Sequence, residues 1–184
     1  YPCFGVAPFF LLFNKPNCDA VFLKQVLAKL SLEELTGALN SGQLMGAAKK
    51  NPFFANDPTP LMLAARSNDV AKAEILLDTI RLQTPSPEFL KNFINAYDTS
   101  GFNPLLGAAL RGHTEMLLFL LQQGADGLCK TAKTKQAKQE EQAEENILIL
   151  AIMGGFTETV RAIYQTVFIT PAMKKILLHD DDSK

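Results

Sequence analysis

The sequence predicts an all-α protein built as a stack of helix pairs, and three observations carry that prediction. Apolar residues recur at three- and four-residue spacing in segment after segment. Several of those runs open on a side chain suited to capping a helix. Two segments also repeat each other without gaps. Strand signals are almost absent, since nowhere do β-branched and polar residues alternate for long between turn signals.

Taken in order, the stretch to Pro16 is rich in Phe, Pro and Leu, has neither helical nor strand period, and is expected to wrap over a neighbouring surface. From Asp19 onward Phe22, Leu23, Val26, Leu27 and Leu30 share one helical face. Ser31, with Glu34 three residues on, forms a capping box before Leu35, Ala38 and Leu39. Ser86-Pro87-Glu88 starts another helix, with Ser as the cap and Pro in the first turn, ahead of Phe89, Leu90, Phe93 and Ile94. Thr170-Pro171 repeats the device before Met173, Ile176 and Leu177. Lys130 to Glu145 is made of Lys, Gln, Ala, Thr and Glu with no large apolar residue, so it has no face to bury. Its lysines precede its glutamates, against the helix dipole. It is expected to be a mobile excursion or a backward extension of the next helix.

Composition narrows the function. The 184 residues suit one domain or a few repeats, and 47% hydrophobic with 20% charged residues is ordinary for a soluble protein. Eighteen basic against nineteen acidic residues leave a net charge of -1 and no basic field for a phosphate backbone, which argues against nucleic acid. Cys3, Cys18 and Cys129 are odd in number and widely spaced, which fits a reducing compartment better than a disulfide framework or a zinc site. Phe4 to Phe13 is too short to span a bilayer, and no basic region precedes it. The start at Tyr1-Pro2-Cys3 suggests a domain cut from a longer protein.

The internal repeat gives the most. Thr59-Pro60-Leu61-Met62-Leu63-Ala64-Ala65-Arg66-Ser67-Asn68-Asp69, ending in Ile75-Leu76-Leu77, aligns with Asn103-Pro104-Leu105-Leu106-Gly107-Ala108-Ala109-Leu110-Arg111-Gly112-His113, followed by Leu120-Leu121-Gln122-Gln123-Gly124-Ala125-Asp126. Asn146 to Phe156 is a weaker third copy without the Thr-Pro start, and Leu35, Ala38, Leu39 and Gly42 are a degenerate fourth. Pro in the first turn gives up a donor that is orphaned anyway, the alanine pair lets helices approach closely, and Gly112 and Gly155 suit a left-handed helix end. One helix pair cannot hide its apolar face alone, so the copies must stack.

These segments resemble the ankyrin repeat, with its T-P-L-H-x-A-A-x-x-G-H opening and a second helix ending in L-L-x-x-G-A. The resemblance implies an all-α, ankyrin-type helical repeat solenoid with capping helices. The expected organisation is an N-terminal helical cap or degenerate repeat over 1–50 and repeats over 51–166 with insertions near 81–95 and 127–145. A C-terminal capping helix and acidic tail would occupy 167–184. The insertions are read from spacing: Pro60 and Pro104 stand 44 positions apart and Pro104 and Ile147 stand 43 apart, against a family period of about 33. Both fall where ankyrin hairpins project, so the insertions are expected to replace those hairpins. Divergent repeats with a Phe-rich start are also similar to the ankyrin proteins that intracellular bacteria deliver into host cells.

Catalytic signatures for hydrolases, metalloproteases, phosphate loops and dinucleotide folds are missing from the sequence. His113 occupies the G-H position and is expected to hydrogen-bond locally at its helix start. His179 beside Asp180, Asp181 and Asp182 reads as a solvated acidic tail rather than a cation site. Cys129 next to Lys130 has a neighbour that lowers a thiol pKa, but the sequence places no base beside it. No catalytic residue, metal or cofactor is expected. What the family implies instead is a concave protein-binding face, formed by the residues just before T-P-L and just after the alanine pair. Carried over by position, these are Asn56, Arg66, Ser67, Ser100, Phe102, Leu110, Arg111, Glu145 and Met153. Lys72, Glu74 and Glu115 are expected on the opposite, convex side. The expected partner is another protein, with no nucleic acid, no membrane span and no small-molecule substrate. The expected setting is cytoplasmic, or the host cytoplasm for a delivered protein. The alternative is a substrate-recruiting or regulatory domain of an enzyme whose catalytic region lies outside this chain.

Overall fold

A computed structural model describes residues 20–29, 59–83, 86–98, 100–132 and 145–168. Its helices are α1 (Ala20–Lys29), α2 (Pro60–Ser67), α3 (Val70–Gln83), α4 (Pro87–Ile94), α5 (Pro104–Ala109), α6 (Thr114–Gln122), α7 (Ile147–Met153) and α8 (Thr157–Ile163), the last running into a π-type turn, Tyr164–Phe168. The only strand-like pairing among the described residues is an isolated bridge between Lys130 and Asn146.

Helices α2, α5 and α7 open alike. Each is preceded by a residue in extended backbone whose side chain takes up a free N–H of the first turn. Thr59 Oγ1 accepts from Met62 N at 3.2 Å, Asn103 Oδ1 from Leu106 N at 2.8 Å, and Asn146 Oδ1 from Ile149 N at 2.9 Å. The third copy therefore keeps the cap although it lacks the Thr-Pro pair. The three helices also close alike, on Asn68 at φ 56°, Gly112 at φ 68° and Gly155 at φ 72°. In each case the next N–H returns to the carbonyl of an alanine: Asp69 to Ala64, His113 to Ala108 and Phe156 to Ala151, all at 3.0 Å. One register thus runs through three helix pairs.

The pairs stack. Helix α5 lies between α2 and α7 in an inner layer, α6 lies between α3 and α8 in an outer layer, and α1 packs on α3. Ala64, Ala65, Ala108, Ala109 and Ala151 are fully buried along the inner seam, where their size permits close approach. Leu61, Leu105 and Ile147 lie below them, facing Leu76, Leu77, Met116, Leu117, Leu120 and Ile163, all without exposure.

The first insertion is helical, in keeping with the Ser86 cap: Ser86 Oγ accepts from Phe89 N, and α4 packs against α3 with Phe93 and Ile94 buried. The second leaves and returns through one gate, where Thr131 N donates to Glu145 O at 2.8 Å beside the Lys130–Asn146 bridge. The opening segment, the Ser31 capping box, the degenerate copy at Leu35 to Gly42, the interior of the lysine–glutamate tract and the Thr170 helix lie outside the described residues.

A sequence reading fails in the outer layer. Lys72, expected on the convex surface, is 2% exposed, with Nζ 2.9 Å from Asp69 Oδ2. Its position in α3 matches Met116 in α6 and Thr159 in α8, both buried. The lysine stem fills that core-facing site while its ammonium turns to the carboxylate at the helix start.

This packing predicts two outcomes. Leu105→Ala is expected to lower the unfolding free energy by about 2 to 5 kcal/mol in chemical denaturation, and a negligible loss would refute the register. Glycines 112 and 155 share a left-handed backbone but not surroundings. A Cβ on Gly112 would stand 2.4 Å from the Phe156 ring, whereas one on Gly155 meets nothing within 4 Å. Gly155→Ala should cost about 1 to 2 kcal/mol from backbone strain alone, and Gly112→Ala about 1 to 3 kcal/mol more from the clash. Equal losses would mean that Phe156 does not pack there.

Candidate functional site

Aligning the three pairs on their left-handed residues puts Arg66, Leu110 and Met153 in one row, and Ser67, Arg111 and Gly154 in the next. Each row crosses the ends of three adjacent inner helices. Leu110 is 41% and Met153 70% exposed, and α7 also leaves Ile149 and Ile152 exposed. The counterparts of Ile149 are Met62 and Leu106, and those of Ile152 are Ala65 and Ala109, all essentially buried. The uncovered side of α7 is therefore the side on which another pair would stack.

At the other end of the rows a buried carboxylate organises the surface. Asp98 closes the turn before α5: its Oδ1 accepts from Ser100 N at 2.9 Å and Phe102 N at 3.0 Å, while its own N–H donates to Phe102 O at 2.8 Å. Its Oδ2 takes Arg66 Nη2 at 3.3 Å, with the aspartate side chain wholly buried and that of Arg66 about one-third exposed. Four sequence-derived positions are thus gathered by two helices and one turn: Arg66, Ser100, Phe102 and, next to Arg66, Arg111. The Arg111 pKa is pushed below its ordinary value, first by partial desolvation and then by the Arg66 charge.

The remaining positions are less uniform. Ser67 Oγ turns back onto its own helix, donating to Leu63 O at 3.0 Å. Phe102 is half-buried against the core. Glu145, half-buried, stands at the gate of the second insertion, where its N–H donates to Thr131 Oγ1 at 3.0 Å. Asn56 lies outside the described residues. Sequence reasoning missed Asp98, Ile149 and Ile152. Asp98 stands five residues before the Asn103 start of the second copy, outside the aligned motif, and the isoleucines were visible only by matching α7 position by position to the helices before it.

Two reactive side chains are occupied structurally. His113, expected to bond at its own helix start, instead reaches the preceding repeat, where its Nδ1–H donates to Ala65 O at 2.9 Å and no side-chain cap forms. The carbonyl of Ala65 faces this ring because α2 and α5 are in contact, which spacing alone does not reveal. Cys129 is buried, and its Sγ–H donates to Asn103 Oδ1 at 3.8 Å. Burial raises its pKa, outweighing any effect of the adjoining lysine.

The sequence of residues 31–131 matches the family model for ankyrin repeats in three copies, over more than half of the chain. The chain belongs to the ankyrin-repeat family. Ankyrin repeats are protein-interaction modules, and this chain is one. Helices α7 and α8 lie beyond the matched residues yet keep the cap, the left-handed glycine and the returning N–H of the pairs before them. Among solved structures, the chain is similar to a chain in the crystal structure of the yeast ribosomal protein Rps3 in complex with its chaperone Yar1. The two share 20% identity over 80% of this chain and 97% of that one, with a TM-score of 0.52, a likeness of fold. No curated protein matches the sequence. Among the described residues no helix is long and apolar enough to cross a membrane.

Asp98→Ala is expected to destabilise the protein by about 2 to 4 kcal/mol, because it strands two turn N–H groups and the Arg66 contact at once. Arg66→Ala, which removes only the half-exposed partner, should cost about 1 kcal/mol less. The reverse order in a denaturation series would show that the carboxylate does not organise the turn.

Proposed function

We propose that this ankyrin protein grips its partner through the face formed by the ends of the inner helices and the turns before them. Leu110, Arg111 and Met153 act as anchors, with Arg66, Ser67, Ser100, Phe102 and Glu145 around them. One observation carries the reading: at the same position of two consecutive repeats the chain exposes Leu110 and Met153, with the exposed Arg111 next to the first. Monomers normally keep such groups apart, and arginine with large apolar residues is the composition of interface anchors. Ankyrin stacks bind on their concave side, which in this register is the same face.

The face binds rather than reacts. The imidazole of His113 is committed to a carbonyl, and the Cys129 thiol is buried and held away from its thiolate form. We infer a reducing, cytoplasmic setting, with which a free buried cysteine is compatible.

The test compares two sets of exposed substitutions. Leu110→Asp, Arg111→Glu and Met153→Asp together should cut binding of a partner recovered by affinity capture by at least about a hundredfold, with the melting temperature unchanged. Glu74→Lys with Glu115→Lys, on the outer helices, should bind as the parent does. Arg66 and Phe102 are left intact, since one holds Asp98 and the other packs on the core, so changing either confuses folding with binding. Loss of binding only in the outer-helix variant would move the functional surface to the other side.

A further inference from the structure

We propose that the segment this face accepts is acidic at one end and apolar at the other, with a partner carboxylate between Arg66 and Arg111 and aliphatic side chains over Leu110, Met153 and the bare side of α7. The inference rests on the face just described and adds the chemistry of what it binds.

The charge balance gives the acidic end. Two guanidinium groups meet there, and among the described residues the one carboxylate that touches either is Asp98. That carboxylate is already shared, with Oδ1 taken by two turn N–H groups and Oδ2 by Arg66. Arg66 uses only Nη2, and its buried Nε has no hydrogen-bond partner, so the two-pronged contact that arginine makes with carboxylate is incomplete. Arg111 is exposed and has no carboxylate partner among the described residues. Two guanidinium groups against one carboxylate leave one positive charge uncompensated, which an incoming carboxylate neutralises. Partial desolvation, and after it the Arg66 charge, lowers the Arg111 pKa.

The other end differs in kind. Moving along the row from α2 to α7, arginine gives way to Leu110 and then to Met153, flanked by Ile149 and Ile152, with 41% to 70% of each side chain exposed. Three inner helices at the usual separation of about 8 to 10 Å span about 20 Å, which about six extended residues cover. A phosphate polymer fits less well, since exposed leucine, isoleucine and methionine offer its backbone nothing and the chain as a whole carries a charge of -1.

The experiment selects binders from a displayed random-peptide library on the immobilised full chain. The winners should carry Asp or Glu at one end and Leu, Ile, Met or Phe at the other. Their affinity should fall about tenfold or more on Arg111→Gln, a change that leaves the melting temperature in place because Arg111 pairs with no carboxylate among the described residues. Replacing the peptide acid by its amide should cost as much in the parent and little in Arg111→Gln, the signature of direct coupling. Arg66→Lys, which keeps the charge beside Asp98, should weaken the same peptides less. Neutral or basic winners that are lost on Leu110→Asp with Met153→Asp would overturn the acidic assignment and leave the face standing. Winners indifferent to all these changes would overturn both. A single-stranded oligonucleotide or heparin that binds through Arg111 more tightly than any acidic peptide would replace the peptide site with a polyanion site.

Discussion

The alanine seam between α2, α5 and α7 sets how closely consecutive helix pairs approach, and the rest of the structure depends on that distance. An inner helix of six to eight residues is too short to be stable in water on its own. It persists because a neighbour covers one flank and its own outer helix covers another. Small side chains at Ala64, Ala65, Ala108, Ala109 and Ala151 bring the backbones near enough for that cover. The same proximity lets the His113 ring reach the Ala65 carbonyl and the Phe156 ring lie on Gly112.

One position shows how the chain varies a fixed frame. After each left-handed residue stands a different side chain, and each serves the junction differently. Asp69 stays local, its Oδ1 accepting from Lys72 N and its Oδ2 pairing with the Lys72 ammonium. His113 crosses to the preceding repeat by a hydrogen bond, and Phe156 makes the same crossing by apolar contact, filling space that Gly112 leaves empty. Polar, aromatic and ionic side chains are tolerated because the backbone hydrogen bond to the alanine carbonyl is common to all three.

What was legible in the sequence is what local chemistry decides. The Thr-Pro start, the Ser86 cap and the left-handed glycines are set by a few neighbouring atoms, and each stands where its residue type places it. The lysine at position 72 was misjudged because its environment comes from packing partners distant in the chain, and a long aliphatic stem is as able to fill a core as to lie on a surface. The candidate site was partly legible: the repeat motif located Leu110, Arg111 and Met153. It did not reveal that Arg66 and Phe102 are tied to a buried aspartate, because that turn draws together residues separated by 32 positions. Nor did it reveal the bare flank of α7, because the motif describes a helix pair and not whether a further pair stacks upon it.

The gate of the second insertion bears on how the protein has diverged. Lys130 and Asn146 bridge there, and Thr131 and Glu145 exchange hydrogen bonds, so the two ends of the lysine–glutamate tract are pinned together whatever lies between them. The entropy of closing such a loop rises only with the logarithm of its length, by about 0.6 kcal/mol for each doubling. A change in the number of residues between the two ends therefore adds little to the cost of holding the gate closed. Length can thus drift between relatives at this gate for a small entropic cost, with the Lys130–Asn146 bridge holding the start of α7 in register.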